Sequence, residues 1–195
     1  MGNRRIGRKR LYGVEKAGQK IDLESGAGIS GAIVSATQHR QGQEIITEIA
    51  IDLDGLVRAN GDGKACGLTG KAAQITQLTQ AKYGVITEIR SICMEVPKIS
   101  TTTREVNVCL GEAAQNTNAG ANTGEAITGA TDSNPTALSV VGQDEVQDID
   151  NAATFQTAGS EEYLYISSDD GNTGNFSQGK ILIYLHGFVV PDDAS

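Results

Sequence analysis

From Gln43 to Leu53 the chain alternates without a break. Ile45, Thr47, Ile49, Ile51 and Leu53 share one parity, and Glu44, Ile46, Glu48, Ala50 and Asp52 share the other. A period of two is what a β-strand imposes, because successive side chains leave a sheet on opposite faces. On a helix the same residues would scatter around the circumference. One face of this strand is therefore committed to a core and the other to a polar surface. Further strands are expected along the chain. Ala32 to Thr37 begins one. Gly84 to Val96, rich in Val and Ile, forms another that Pro97 should stop. Thr101 to Leu110 follows with Val106, Val108 and Leu110 inward, and Thr136 to Val141 and Tyr163 to Ile166 read as strands. Lys180 to Val190, ended by Pro191, is the strongest of the set.

Turn chemistry separates them. Asp54-Gly55 suits a tight hairpin, and Asn60-Gly61-Asp62-Gly63 and Asp169 to Gly179 are turn material. Two segments are helix candidates. Residues 70–82 place Ala72, Ile75 and Leu78 near helical spacing, and residues 143–153 read as one or two helical turns or an acidic loop. Glycine at 24 of 195 positions, no Trp and only 4% aromatic residues leave few large side chains to fill a core. Such a chain completes its burial most readily against neighbours. The expected fold is mainly β: an antiparallel β-sandwich or barrel with an extended basic N-terminal arm and long Gly/Asn/Thr-rich loops, notably 111–135. The expected organisation is an arm at 1–20, a Gly-rich hinge at 21–31 and one β-rich domain at 32–195.

Charge divides the chain just as sharply. Residues 1–20 hold seven cations and Glu15, a net of +6; the whole chain is −8, which leaves −14 for residues 21–195. A basic arm on an acidic body suits docking on something anionic, through the arm alone. The candidate partner-binding residues are Arg4, Arg5, Arg8, Lys9, Arg10 and Tyr12. Nucleic acid is a possible partner only through these residues. Base stacking needs aromatics, and only Tyr12 is near, while residues 105–195 set 14 acids against the single cation Lys180.

Catalytic and metal signatures fail one by one. Gly26-x-Gly28-x-x-Gly31 matches the dinucleotide fingerprint as a string, but strand-forming residues follow it where a helix is needed, so a flexible linker is the better reading. Gly67 to Lys71 lacks the spacing of a phosphate loop and reads as a turn. Asp52-x-Asp54-Gly and Asp169-Asp170-Gly171-Asn172 lack the distal Glu of a calcium loop and read as solvated turns. His39 and His186 have no nucleophile elbow to serve and read as sheet-surface or interface residues. No enzyme activity, metal or cofactor is expected. Cys66, Cys93 and Cys109 are widely spaced and read as reduced thiols. No apolar run marks a membrane span or a signal peptide, so the Asn175-Phe176-Ser177 sequon is discounted.

Three stretches carry a resemblance: the opening Met-Gly-Asn-Arg-Arg-Ile-Gly-Arg-Lys-Arg-Leu-Tyr, the run from Ala32 to Ile49, and the closing Gly-Lys-Ile-Leu-Ile-Tyr-Leu-His-Gly-Phe at 179–188. Together they resemble small virion structural proteins of marine tailed phages. The resemblance covers about a fifth of the chain and contains no chemically diagnostic motif. It implies a non-enzymatic capsid decoration or cement protein, assembled in a host bacterial cytoplasm and located in the virion. The implied partners are the major capsid protein or another virion protein, in a homo-oligomer such as a trimer or dimer and without a membrane. A nucleic-acid-associated protein, or a head–tail or tail component, is the alternative.

Overall fold

A computed structural model describes residues 18–29, 32–58, 64–68, 70–104, 106–111, 116–117, 138–140, 146–150, 156–157, 160–161, 163–168 and 174–189. In chain order the strands are β1 (Gln19–Lys20), β2 (Ile33–Gln41), β3 (Glu44–Asp52), β4 (Val57–Arg58), β5 (Lys64–Ala65), β6 (Lys71–Ala72) and β7 (Thr76–Gln77). One helical turn, α1 (Gln80–Tyr83), precedes β8 (Val85–Ile99), β9 (Thr102–Thr103), β10 (Val106–Gly111), β11 (Asn116–Thr117), β12 (Leu138–Val140) and β13 (Val146–Asp150). The last strands are β14 (Gln156–Thr157), β15 (Ser160–Glu161), β16 (Tyr163–Ser168), β17 (Gly174–Asn175) and β18 (Gln178–Phe188).

Every pairing among them is antiparallel. A seven-stranded sheet runs β1-β2-β3-β18-β8-β13, with β9 also on β8. A five-stranded sheet runs β12-β10-β16-β5, with β7 also on β16. Among the described residues neither sheet closes on itself. The chain is mainly β, and its strands lie in open antiparallel sheets.

The large sheet follows from sequence period and turn chemistry. The β2–β3 hairpin turns at Gly42-Gln43, between the paired Gln41 and Glu44, and Gly42 has φ 64. A left-handed first loop residue is what a type II′ turn requires, and glycine supplies it without a Cβ clash. Along β3, Ile45, Thr47, Ile49 and Ile51 are buried and alternate with half-buried neighbours, as the period dictates. Along β18 the buried positions are Gly179, Ile181, Ile183, Leu185 and Gly187. One buried cluster draws on Ile49, Ile51, Ile89, Cys93, Ile181, Ile183 and Leu185 of the large sheet and on Val106, Val108, Leu164 and Ile166 of the smaller one. Each fully buried aliphatic side chain contributes about 2 kcal/mol, so this shared core dominates the cohesion of the two sheets. The single buried hydroxyl of β3, on Thr47, accepts from Gln38 Nε2 at 3.1 Å, which removes the cost of burying it.

Several expectations are corrected. Pro97 does not end the Gly84–Val96 strand: β8 continues to Ile99, and Pro97 sits where its register against β18 slips between Gln178/Lys98 and Lys180/Glu95. A bulge tolerates the missing N–H. Gly179, at φ 138, makes room there, since a Cβ on it would lie 2.9 Å from Pro97 Cα. Asp54-Gly55 does turn the chain, with Leu56 N donating to Leu53 O at 2.9 Å, but it closes no hairpin. The strand that follows, β4, pairs with β17 instead.

The helix expected at 70–82 is largely absent. That segment gives β6, β7 and only the turn α1, because its backbone bonds go to distant strands: Ile75 N donates to Leu164 O at 2.7 Å, and β7 pairs with β16. Tertiary pairing overrides the local spacing. The 143–153 candidate contains β13, which pairs with β8. The glycines read as a linker are packed, not loose. A Cβ on Gly26 would lie 2.1 Å from Ala72 O and one on Gly28 2.7 Å from it, so the chain there lies directly against β6. The last residues of the expected arm, Gln19 and Lys20, belong to the edge of the large sheet. Residues 1–17, most of 111–135, and the turns at 59–63 and 169–173 lie outside the described residues, as does the Leu110 side chain.

Candidate binding surface on the large sheet

The core covers one face of the seven-stranded sheet, and the other carries charged residues of both signs. Register builds it row by row. Ser35, Ala50, Leu182 and Ile92 stand side by side across β2, β3, β18 and β8, with Val146 at the matching position of β13. The next row is Thr37, Glu48, Tyr184 and Arg90, then the Asp148 position. The row after that is His39, Ile46, His186 and Glu88, then the Asp150 position. On the other side of the apolar row lie Asp52, Lys180 and Glu95. Met94 is an extra residue where β8 bulges between Cys93 and Glu95, and it is half exposed. Ser35, Ala50, Met94, Lys180 and Leu182 line a shallow depression of about 380 Å³.

Charge on this face is unequal. Glu44, Glu48, Asp52, Glu88 and Glu95 outnumber Lys20, Arg90 and Lys180. Arg90 and Lys180 already have a carboxylate: Arg90 Nη2 is 2.9 Å from Glu88 Oε1, and Lys180 Nζ is 3.1 Å from Glu95 Oε2. The hydrogen bond to Glu95, its charge, and the charge of Asp52 raise the Lys180 pKa above its ordinary value. The Tyr184 phenol is also raised, by burial first and then by the charge of Glu48 and the hydrogen bond with it. Glu44 Oε1 lies 3.9 Å from His186 Nδ1, beyond hydrogen-bond range. Both histidines therefore sit on this surface, as read from the sequence, separated by Ile46 in one row.

This arrangement suits recognition of a cationic, extended partner. It offers carboxylates around an apolar strip. Among the described residues no group of three or more His, Cys, Asp or Glu side chains is placed to hold a metal ion. Asp52 Oδ1 instead accepts from Asp54 N at 3.2 Å, capping its own turn. Cys66 and Cys93 are buried thiols of the core, and Cys93 Sγ donates to Glu95 O at 3.5 Å. The Cys109 side chain lies outside the described residues. No helix among the described residues is long and apolar enough to cross a membrane.

The residues expected to bind a partner, Arg4, Arg5, Arg8, Lys9, Arg10 and Tyr12, all lie outside the described residues. The acidic face escaped sequence reasoning, although half of its signal was visible. Glu44, Glu48 and Asp52 share a parity in β3, but only register brings Glu88 and Glu95 of β8 beside them. Comparison with known protein families, with curated proteins and with solved structures finds no match to this chain.

Proposed function

We propose that this chain is a non-enzymatic structural protein of a virus particle, a capsid decoration or cement protein anchored through Arg4, Arg5, Arg8, Lys9 and Arg10 to an acidic protein surface of the shell. One observation carries the reading: six cations against Glu15 in residues 1–17, a net of +5, precede a strongly acidic β body. An arm of this kind makes several charge-assisted contacts at once, and the body need not touch the partner at all. The three stretches that resemble phage virion proteins support the same role. So does a body rich in charged surface and long strands. The architecture we infer is a sandwich of the two open sheets, because one buried cluster draws on both. A dimer or trimer of such bodies on the shell would complete the burial that few large side chains provide.

The test is cosedimentation with shells lacking the protein and, separately, with DNA. The full chain is compared with one lacking residues 1–17, a deletion that leaves β1 on its sheet. Saturable binding to shells that disappears with the deletion is the expected result. Deletion-sensitive binding to DNA alone, falling steeply with salt, would make the protein a nucleic-acid-associated one. Binding to neither would remove the structural reading.

A further inference from the structure

We infer that the outer face of the seven-stranded sheet receives the basic N-terminal segment, residues 1–17, of a second copy of this chain. The inference rests on the reading that this segment meets acidic protein surfaces, and it adds one to the shell: copies whose segment lies on a neighbour are tied to the shell through that neighbour. Charge is the first argument. The segment carries a net of +5. The face presents Glu44, Glu48, Asp52, Glu88 and Glu95 against Lys20, Arg90 and Lys180; Arg90 and Lys180 are paired with Glu88 and Glu95, which leaves the charges of Glu44, Glu48 and Asp52 against that of Lys20 on the edge strand. Arginines suit such a face, because each guanidinium reaches a carboxylate with two parallel bonds.

Apolar pattern is the second. Ile6, Leu11 and Val14 interrupt the basic run, and the face carries an apolar strip of Ala50, Leu182 and Ile92 with the half-exposed Met94. The depression beside Leu182 is large enough for one such side chain. Length is the third. Seventeen residues span at most roughly 55–60 Å when extended. The five strands from β2 to β13 span roughly 20 Å at about 4.8 Å per step. The segment therefore crosses the face with chain to spare.

Direction selects a second copy over the same chain. β1 runs antiparallel to β2, with Gln19 opposite Gln38 and Lys20 opposite Thr37. From Lys20 back to Gly18 the described chain thus runs toward the hairpin end of β2, away from the row of Ser35 and Ala50. Gly18 is held against His39, where a Cβ would lie 2.6 Å from the ring nitrogen Nε2. A segment that continued in this direction would move away from the apolar strip of its own sheet, so the matching face of a neighbour is the one we assign to it. Donation between copies also gives the proposed coat a lateral tie that owes nothing to the shell beneath it.

The experiment is a charge swap read by sedimentation velocity on full chains. One variant reverses the segment (Arg4→Glu, Arg5→Glu, Arg8→Glu, Arg10→Glu) and the other reverses the face (Glu44→Lys, Glu48→Lys). The unaltered chain is expected to self-associate, at least tenfold more weakly at 0.5 M than at 0.05 M salt. Each variant alone is expected to stay monomeric at the same concentration. An equimolar mixture of the two is expected to associate again, because each supplies what the other lost. Restored association also proves that both variants fold. A monomeric unaltered chain, association of either variant alone, or a mixture that stays monomeric would each overturn the inference. Shell binding is scored in parallel on the same proteins. Segment-dependent binding to shells without self-association would sink the inference and leave the proposed function standing. Self-association without shell binding would do the reverse.

Discussion

The two faces of the seven-stranded sheet come from the same strands, one residue out of phase, and they obey different constraints. In β18, Ile181, Ile183 and Leu185 are at most 1% exposed, whereas their neighbours Lys180, Leu182, Tyr184 and His186 reach solvent. The inner face is governed by volume. Ile183 lies between Ile49 of β3 and Ser91 of β8, and close packing leaves no room to adjust. The outer face is governed by charge. Lys180 pairs across strands with Glu95, Arg90 pairs along β8 with Glu88, and all four side chains reach solvent. Stability is therefore concentrated inside the sheet and recognition outside it, and single substitutions can pull the two apart.

The largest effect is expected inside. Ile183→Ala removes a fully buried side chain from the centre of the cluster shared by both sheets. It should lower unfolding free energy by about 2–5 kcal/mol, the sum of lost transfer energy and the cavity left behind. Urea denaturation at neutral pH measures it. A loss below about 1 kcal/mol would show that the inner face is loosely packed, and the contrast between the faces would collapse.

Tyr83 sharpens the comparison through pH. Its phenol is buried, and its oxygen lies 2.7 Å from Thr76 Oγ1. Burial pushes its pKa up to about 12, the hydrogen bond to Thr76 pulls it partly back, and the charge of Glu24 adds to the rise. The folded state favours the neutral phenol, so its contribution is complete below the unfolded pKa near 10. It is lost as pH climbs from about 10 to about 12, where the unfolded chain releases the proton first. At about 1.4 kcal/mol per unit, that amounts to roughly 2–3 kcal/mol. Tyr83→Phe should cost about 1 kcal/mol at pH 7 through the lost hydrogen bond and flatten the alkaline decline. Denaturation curves at pH 7, 10 and 11.5 compare the two proteins, and an equally steep decline in the variant would assign it to other groups. The outer-face Tyr184 provides the counterpart, raised in the same direction but with Glu48 as a contributing cause.

The faces also explain what the sequence revealed. Both parities of β3 and the existence of β18 were readable, because a period of two survives in a strand buried on one side. What was hidden depends on partners far along the chain. β8 passes Pro97 because its register against β18 slips there, and residue spacing alone could not anticipate the slip. Ala72, Ile75 and Leu78 suggested a helix, yet their segment is claimed by β11 and β16. The turn at Asp54-Gly55 was visible, but its outcome depended on β17, more than a hundred residues later. Of the candidate site, the basic segment was legible as charge. The acidic face was not, because Glu48 and Glu88 become neighbours only through β18, which lies between their strands.

The smallest effect on stability should accompany the clearest effect on binding. Leu182 is half-buried on the outer face, beside Ala50 and Ile92 and next to Met94. Truncating it removes little area that folding alone has buried, so Leu182→Ala should cost about 1 kcal/mol or less. In a complex, the same side chain would be sealed by Ile6, Leu11 or Val14 of the incoming segment, and its loss would be felt there in full. Self-association of the full chain should therefore weaken several-fold while the urea midpoint barely moves. Because the substitution changes no charge, the salt dependence of what remains should be the same. Had Leu182 been a core residue, stability and association would fall together. Had it been an idle surface residue, neither would change. Only a drop in association at constant stability is consistent with an outer face built to be covered by another chain.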